Sequence, residues 1–597
     1  MQKYKSREEV PEKYKWNLTD FFKDEKDYQD NFKKCQKLVK ELSKYKGCTK
    51  DSKLLQEYIE KDLEASDLLE NLYGYSYLIN DQVIGIQKSI ERLGKCENLI
   101  NELNINESFF EPELLKLSKK DYEELFKNKD LLEYKVMLDK IYRNKEHVLD
   151  EQSEQIISEL EMAMNHFEEM SSTMLNSEHD YGTVKIDGEE EKIATTNYRR
   201  LTKNNDVKIR KEVYKKFHEV TNRYGISSAQ FLNSYVKANL TDAKLHRFSD
   251  AWDAKTFHLN MPNEAYEALV STVENNVDKL QKYFNAFKDT LNLKEFHTYD
   301  LNLDLAKSKK EYTIEEAQEL CLKAVEPLGK EYQERFKRII DNNYVDYAQY
   351  PKKCSGGYSL ATLSKDSRIL MSFNYDLDSV STLIHEGGHN VHHQFVKDNN
   401  KIEYRSVSNL VAEVASLTNE CLLSSYLSKN ASNKEEKLAG ISNILNVFIS
   451  NLYGAVREGK LEQTFYDYVN EGNIITKEYM DDINKKSLEK YYGNTLIFDE
   501  YSSLSWIRRS HYYMNYYLYN YAFCISIACD VASKILNNDK KMLDNYIKFL
   551  STGSDVWPID SFKTLGIDIT KKEVYEEAIN YFDKMIDEFI KVSKEGE

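Results

Sequence analysis

The residues best suited to chemistry are His385, Glu386 and His389, which form the pattern H-E-x-x-H. Four residues advance an α-helix by slightly more than one turn, so the two histidines project from the same face. Two neutral imidazoles placed in this way can bind one Zn²⁺ at roughly 2.0–2.1 Å each. Glu386 points to the open coordination position, where it can take a proton from a water whose pKa the metal lowers to about 7. The spacing therefore predicts the zinc site of a peptidase.

The residues around this pattern help to decide whether it is accidental. An accidental copy would more often lie on a solvated helix face, without apolar neighbours that bury it. Gly387 and Gly388 each cost about 1 kcal/mol relative to alanine inside a helix. We therefore expect the close approach of another backbone or a ligand at these positions. The apolar side chains that can bury the helix and enclose the site are Leu383, Ile384, Val391 and Phe395.

A catalytic zinc usually has three protein ligands and one water. His392 and His393 follow closely, but side chains on three successive turns of one straight helix spread over about 12 Å and do not converge on one ion. The third ligand should come from another helix. Segment 409–420 is the best candidate, because it combines an apolar helical pattern with Glu413 and Glu420, seven residues apart on one face. The alternative is a glutamate at the exposed edge of an amphipathic helix.

A second polar cluster lies in segment 506–521, W-I-R-R-S-H-Y-Y-M-N-Y-Y-L-Y-N-Y. Peptide hydrolysis builds negative charge on the carbonyl oxygen, which positioned hydroxyl or imidazole donors can stabilise. With 44 tyrosines in the chain, packing is a strong alternative for these rings. Arg508 and Arg509 could hold a substrate carboxylate or lie solvated at the surface. On one helix the tyrosines would form two neighbouring faces, Tyr512, Tyr516 and Tyr519 on one and Tyr513, Tyr517 and Tyr521 on the next.

These motifs resemble the oligoendopeptidase F branch of the thimet-oligopeptidase-like zinc peptidases. The matching pieces are H-E-G-G-H at 385–389, E-V-A-S-L-T-N-E at 413–420 and H-Y-Y-M-N-Y-Y-L-Y-N-Y at 511–521, and the resemblance covers nearly the whole chain. The resemblance implies that Glu413 is the third ligand of one Zn²⁺ per chain. It also implies that Glu420 is a partner for the other nitrogen of a ligand histidine, as metal-bound histidines generally require.

The resemblance further implies that His511 and tyrosines of the same segment stabilise the transition state. The alignment leaves Tyr512 or Tyr513 open for the first of these tyrosines, whereas Tyr519 fits in either case. Ser510 stands where this branch usually has proline, which leaves the local backbone and the placement of His511 open.

The fold implied by the resemblance is mainly α-helical, a large clam-like bundle that encloses a deep substrate channel. Only 6 prolines and 20 glycines occur, which favours long uninterrupted helices. A small β-sheet is expected next to the zinc helix, because apolar residues alternate along segment 368–375. The edge of such a strand can bind an extended peptide through main-chain hydrogen bonds, and an ordinary buried strand is the alternative.

A change of pattern near Asp187-Gly188 divides the chain into two predicted domains. Residues 20–180 have the pattern of successive amphipathic helices, whereas this dipeptide predicts a tight turn between two short strands. We therefore predict an N-terminal helical lid domain over residues 1–195 and a catalytic zinc-peptidase domain over residues 196–597.

Composition restricts the partners and the compartment. The balance of 83 basic and 100 acidic residues gives a net charge of −17, which disfavours non-specific nucleic-acid binding. The sequence shows no apolar run long enough for a membrane span, no signal-peptide core and no disulfide-like cysteine spacing. We expect a cytoplasmic protein with short peptides as substrates and with neither nucleic acid nor membrane as a partner. The oligomeric state does not follow from the sequence.

The predicted function is hydrolysis of internal bonds in short unfolded peptides by a zinc metallo-oligopeptidase. In this mechanism Glu386 activates the zinc-bound water, and His511 with nearby tyrosines stabilises the oxyanion. One alternative is a zinc carboxypeptidase, which would cut stepwise from a terminus. Another is a non-catalytic helical protein that binds peptides and retains a vestigial metal site.

Overall fold

A computed structural model describes residues 4–595 except 151, 155, 158, 159, 161–165, 177–179, 196, 305–309 and 355. Within these residues the chain is mainly α-helical and has two small sheets, which confirms the predicted fold class. The chain forms two compact units, each assembled from three stretches. The first unit comprises Met1–Glu151, Lys310–Leu423 and Val531–Gly566, and the second comprises Gln152–Lys309, Ser424–Asp530 and Ile567–Glu597.

The second unit contains the predicted hairpin. Strands β1 (Thr183–Ile186) and β2 (Glu189–Lys192) pair antiparallel with Ile186 opposite Glu189. The two-residue turn has φ values of 53° at Asp187 and 91° at Gly188. Both residue types tolerate this left-handed backbone, which explains why the dipeptide is a reliable hairpin signal.

The first unit contains a three-stranded sheet. Its strands β3 (Val345–Ala348), β4 (Gly357–Leu360) and β5 (Arg368–Phe373) are ordered β3-β5-β4, with β5 parallel to β3 and antiparallel to β4. The central strand β5 is almost entirely buried, whereas β4 lies at an edge and is half-exposed. A Cβ atom on Gly357 would lie 2.8 Å from Cγ2 of Thr382 in the H-E-x-x-H helix. The small sheet is thus adjacent to this helix, as predicted.

The packing divides the chain differently from the predicted domains, 1–195 and 196–597. Arg368 of β5 is fully buried, donates to the carbonyl oxygen of Asn17 at 2.8 Å and forms an ion pair with Asp20. One apolar cluster also joins side chains from the first 138 residues to β5. The N-terminal residues therefore pack with the sheet in one unit, because long-range burial and not chain continuity sets the division.

Several α-helices of the first unit begin at polar caps. Asp376, for example, accepts a hydrogen bond from the backbone N–H of Ser379 at 2.9 Å and so starts the H-E-x-x-H helix, Leu377–Asn399, called the motif helix below. A second helix, Asn409–Lys429, carries Glu413 and Glu420 and is called the glutamate helix. The other helices are Glu25–Leu42, Ser52–Gln82, Gln87–Glu107, Phe110–Lys116, Lys119–Leu125, Lys135–Tyr142, Ile314–Ala324, Lys330–Asp341, Lys540–Leu550 and Pro558–Thr564.

The second unit is also helical. Lys434–Phe448 continues through a π-helical turn, Ile449–Gly454, into Ala455–Asn470. In the described residues this continuous helix is the only one with the length and mean hydropathy of a membrane span, but 56% of its apolar 18-residue window is buried, as in core helices. The other α-helices are Phe167–Asn176, Tyr198–Thr202, Val207–Arg223, Gly225–Leu245, Ala251–Phe257, Asn263–Glu274, Val277–Thr290, Lys477–Tyr492, Leu518–Leu536 (whose last turns belong to the first unit) and Lys572–Lys594.

The two glycines of the motif helix lie where neighbouring elements approach most closely. A Cβ atom on Gly388 would lie 2.8 Å from Cα of Ser416 and 3.0 Å from the carbonyl oxygen of Ala415, both in the glutamate helix. A Cβ atom on Gly387 would lie 2.4 Å from the ring of Phe336. The expected close approach is confirmed: the absence of a side chain lets the two helices meet backbone to backbone.

Replacing Gly388 tests this contact. We expect Gly388→Ala to lower the free energy of unfolding by about 1–3 kcal/mol, because the added methyl group meets backbone atoms that cannot rotate away. Gly94→Ala is the matched control, since Gly94 is also helical but a Cβ there meets nothing within 4 Å. The control should be stabilised by about 0.4–1 kcal/mol. Urea denaturation measures both changes, and equal effects would contradict the close contact.

Candidate active site

The motif helix and the glutamate helix bring three potential metal ligands together. Nε2 of His385 lies 3.5 Å from Oε2 of Glu413, and Nε2 of His389 lies 3.7 Å from the same oxygen. The three ligand atoms are all within 4.8 Å of one another, and no other group of this kind occurs among the described residues. Ligands at about 2 Å from one ion have this spread, so the donor set of two imidazoles and a carboxylate fits zinc.

Hydrogen bonds fix the register of the two helices. The amide of Asn419 is fully buried, donates to the carbonyl oxygen of Ile384 at 3.1 Å and accepts from the Tyr332 hydroxyl at 2.9 Å. The hydroxyl of Ser416 donates to Oε2 of Glu413 at 2.9 Å. The first contact ties the glutamate helix to the backbone next to His385, and the second orients the carboxylate. A buried amide with both ends bonded tolerates little sliding.

Glu420 is the partner of a candidate ligand and lies about two turns beyond Glu413 in the glutamate helix. Its Oε1 lies 2.6 Å from Nδ1 of His385. Burial lowers the pKa of His385, but the hydrogen bond and charge of Glu420, with Glu413 and Glu386, raise that pKa to about 10. Burial and the charge of His385 lower the pKa of His389 to about 4. Acidic side chains thus surround one charged imidazole, whose Nε2 proton a metal cation would displace.

Glu386 is buried beside this group. Burial raises the pKa of its carboxyl to about 7, although the charge of His385 opposes the shift and Glu413 and Glu420 add to it. A Cβ atom on Gly357 of the edge strand β4 would lie only 3.7 Å from Oε1 of Glu386. Glu386 is therefore next to the strand edge, with a pKa suited to accepting and returning a proton near neutral pH.

His392 and His393 lie outside the ligand group, as expected. His392 stacks on Phe549 with ring centroids 5.9 Å apart, and burial lowers its pKa to about 3. Burial also lowers the pKa of His393 to about 4. The two side chains, with His389, line a cavity of about 420 Å³. The predicted apolar flank is buried at all four positions, Leu383, Ile384, Val391 and Phe395.

The tyrosine-rich segment does not form the single helix that the sequence analysis assumed. A 3₁₀ turn covers Ser510–Tyr513, and the α-helix starts only at Leu518. Between them Asn515 and Tyr516 have φ values of 42° and 57°, in the left-handed region. A left-handed pair cannot continue a right-handed helix, so the predicted sharing of faces among the tyrosines is wrong.

The break brings other tyrosines to His511. The ring centroids of Tyr517 and Tyr521 lie 6.2 Å and 6.0 Å from that of His511. On a straight helix, residues ten positions apart would be separated by about 15 Å along the axis. Burial and the charge of Arg509 lower the pKa of His511, which favours the neutral imidazole. Tyr517 and Tyr521 were expected on a face with Tyr513 and were not candidates for catalysis. Asn515, a residue type that tolerates the left-handed region, was the available signal.

The other candidates from this segment make contacts within the second unit. Tyr512 packs edge-on against Phe465 and Tyr513 against Tyr235, each with ring centroids 5.3 Å apart. Tyr519 is fully buried, and its hydroxyl donates to that of Tyr266 at 3.0 Å.

The two arginines are not free surface residues. Arg508 donates to the carbonyl oxygen of Leu175 at 3.1 Å and to the Tyr181 hydroxyl at 3.0 Å. Arg509 forms an ion pair with Glu458. Both guanidinium groups are thus bonded to their own chain and are not fully solvated, whereas binding of a substrate carboxylate stays a prediction.

An H-E-x-x-H helix completed by a glutamate from a second helix is typical of metallopeptidases. Comparison with known families agrees with this class. The chain belongs to peptidase family M3: the profile described as Peptidase family M3 matches residues 200–581, and the one described as Oligopeptidase F matches residues 113–181. The protein is therefore a peptidase.

Relatives and solved structures extend the similarity over the whole chain. Oligopeptidase PepF of Bacillus subtilis is 30% identical over 98% of this chain and 88% of its own length. An oligoendopeptidase F homolog of Borreliella burgdorferi is 29% identical over 98% and 99%. The crystal structure of oligoendopeptidase-F from Enterococcus faecium matches with a TM-score of 0.74, 25% identity and coverage of 95% and 99%. A Chlamydophila abortus structure has a TM-score of 0.88, 26% identity and coverage of 98% and 100%.

The contacts of Tyr519 predict packing more than catalysis. Because its hydroxyl already donates a hydrogen bond to Tyr266, we expect Tyr519→Phe to lower the free energy of unfolding by about 1 kcal/mol and to leave kcat within about twofold. Tyr516→Phe, another buried ring of the segment, is the matched control. Thermal melting and steady-state kinetics measure the two effects. A loss of roughly 10²–10³ in kcat with unchanged KM would instead support the oxyanion role suggested by the resemblance.

Proposed function

We propose that this peptidase is a zinc-dependent endopeptidase that cleaves internal bonds of short unfolded peptides in the cytoplasm. The observation that carries the proposal is the convergence of His385, His389 and Glu413 within 4.8 Å, with Glu386 next to them. Membership of peptidase family M3 supports the reaction class. The names of the relatives, oligopeptidase and oligoendopeptidase, support small peptides as substrates and internal bonds as the point of cleavage.

His385, His389 and Glu413 would hold the metal, and Glu420 would keep His385 in the orientation that metal binding needs. Bound zinc would supply polarisation of the scissile carbonyl and a lowered pKa for water. The positive charge of protonated His385 offsets only part of the mutual repulsion among Glu386, Glu413 and Glu420. A divalent cation would complete this balance, which fits a site that is built to be occupied.

Glu386 acts as the general base and then as the general acid. Its carboxylate takes a proton from the attacking water and returns it to the leaving amine. A carboxyl with a pKa of about 7 is matched to both steps near neutral pH. The adjacent strand β4 has an edge position in the sheet, and Gly357 presents no side chain there. We propose that an extended peptide binds along this edge through its main chain, which makes recognition largely independent of side chains.

Stabilisation of the oxyanion is proposed for His511 and tyrosines of its segment. The resemblance suggests Tyr512 or Tyr513 together with Tyr519, but the bond of the Tyr519 hydroxyl to Tyr266 favours a packing role for that residue. The ring contacts of His511 favour Tyr517 and Tyr521 as additional candidates. Hydroxyl and imidazole N–H donors held in a fixed arrangement contribute most when the charge develops in the transition state.

The proposed function is tested by Glu386→Gln, which keeps the shape of the side chain but cannot accept a proton. We expect retained metal content and melting temperature, with kcat/KM for peptides lowered at least ~10²-fold. Asp398→Asn, at the exposed C-terminal end of the same helix, is the matched control and should behave as wild type.

Mass spectrometry of the fragments from a mixed peptide set identifies the cleaved bonds. Internal cuts support an endopeptidase, whereas a ladder from the C-terminus would indicate the carboxypeptidase alternative. Near-normal hydrolysis by Glu386→Gln would contradict the mechanism. Zinc binding without any turnover by the wild-type protein would favour the non-catalytic peptide-binding protein.

A further inference from the structure

One face of the helix Ala455–Asn470 contacts the segment around His511 at several points. Glu458, Glu462 and Tyr466 lie on successive turns of this face. Glu458 pairs with Arg509, two residues before His511. Tyr466 packs against the ring of Tyr516, with centroids 4.9 Å apart.

Between these two contacts lies a fully buried carboxyl group. Oε1 of Glu462 accepts a hydrogen bond from the backbone N–H of Tyr516 at 2.8 Å. Its other oxygen, Oε2, is buried and has no hydrogen-bond partner among the described residues. A buried carboxyl costs free energy unless its contacts compensate. In the part of the chain that the structure describes, no basic side chain forms an ion pair with Glu462. Such a costly residue in a core position calls for an explanation beyond packing.

The backbone N–H that Glu462 binds belongs to a residue with an unusual backbone conformation. Tyr516 has φ of 57° and follows Asn515 with φ of 42°. A bulky non-glycine residue is strained in this region, and the conformation persists only where its surroundings enforce it. Here a buried acceptor holds the N–H, while Tyr466 and Trp252 hold the ring, the latter with centroids 5.2 Å apart.

This strained pair interrupts the helical path of the backbone between the 3₁₀ turn and the helix that begins at Leu518. Without it, the rings of Tyr517 and Tyr521 would be carried away from His511 along a continuing helix. With it, both rings lie about 6 Å from the imidazole. The geometry of the histidine–tyrosine cluster therefore depends on a backbone conformation that is itself bound by one side chain.

We propose that Glu462 is a positioning residue for peptide hydrolysis: through the Tyr516 N–H it holds the left-handed turn that sets His511, Tyr517 and Tyr521 relative to one another. The proposal rests on the proposed function of His511 in transition-state stabilisation. Glu462 itself does not touch the reacting atoms. Its influence on the reaction passes through the backbone of the turn.

The protonation of Glu462 indicates which substitution should be tolerated. Burial raises the pKa of this carboxyl to about 8, against the lowering effects of the Tyr516 N–H and of Lys255. At neutral pH the group is therefore mostly uncharged, and its carbonyl oxygen accepts from Tyr516. A glutamine amide has the same shape and offers the same acceptor, so Glu462→Gln should preserve the turn.

The test compares Glu462→Leu and Glu462→Asp with Glu462→Gln. Leucine removes the acceptor, and aspartate withdraws it by one methylene while keeping the carboxyl, so the test does not depend on one variant folding. Gln463→Leu, the neighbouring position on the same helix, is the matched control. Three quantities are measured in the full-length protein: kcat and KM for a fluorogenic peptide, hydrogen exchange of the Tyr516 amide by mass spectrometry, and the melting temperature.

We expect Glu462→Leu and Glu462→Asp to lower kcat on the order of 10–10²-fold with KM nearly unchanged, because misplacement by about 1 Å has this effect. The Tyr516 amide should exchange faster in both, and Glu462→Gln should restore both kcat and protection. In a His511→Ala background, Glu462→Leu should cost little further activity, since both changes act on the same histidine–tyrosine cluster.

Unchanged kcat and unchanged exchange, with only a lower melting temperature, would overturn the proposal and leave Glu462 as a core residue. Full additivity with His511→Ala would also overturn it. If His511→Ala itself has wild-type kcat, the proposed role of His511 fails. The exchange measurement still decides whether Glu462 holds the turn.

Discussion

The structure of the candidate site depends on the contact between two helices at Gly388. Because this residue has no side chain, the glutamate helix approaches the motif helix backbone to backbone. This approach brings Glu413 within 4 Å of both histidines and Glu420 to the far nitrogen of His385. Asn419 then prevents sliding by bonding to the backbone of the motif helix. One glycine and one buried amide thus convert a spacing in sequence into a cluster of ligands.

The electrostatics of the cluster follow from the same contact. Glu386, Glu413 and Glu420 are held close to one another. Burial, with the charges of Glu413 and Glu420 adding to it, raises the pKa of Glu386 to about 7. The same carboxylates raise the pKa of His385 to about 10. Mutual repulsion of this kind opposes folding, and functional sites commonly carry such a cost. Binding of a cation would relieve it, so stability and occupancy of the site are coupled.

The sequence predicts those parts of the site that local spacing determines. H-E-x-x-H on a helix, two carboxylates seven residues apart and the Asp187-Gly188 turn are such parts, because helix and hairpin geometry alone convert their spacing into positions. The tyrosine segment is different. Its apparent periodicity is interrupted at Asn515 and Tyr516 by a left-handed turn that Glu462, more than fifty residues away, stabilises. The two units also join distant stretches through burial, which local patterns do not reveal.

The central claim is that His385, His389 and Glu413 form one zinc site. Equilibrium dialysis against zinc, applied to the wild-type protein, Glu413→Ala and His392→Ala, tests it most directly. We expect one tightly bound zinc per chain in the wild type and in His392→Ala, and greatly weakened binding in Glu413→Ala. Of the two substituted residues, only Glu413 would be a ligand. Wild-type zinc binding by Glu413→Ala, or loss of zinc from His392→Ala, would contradict it.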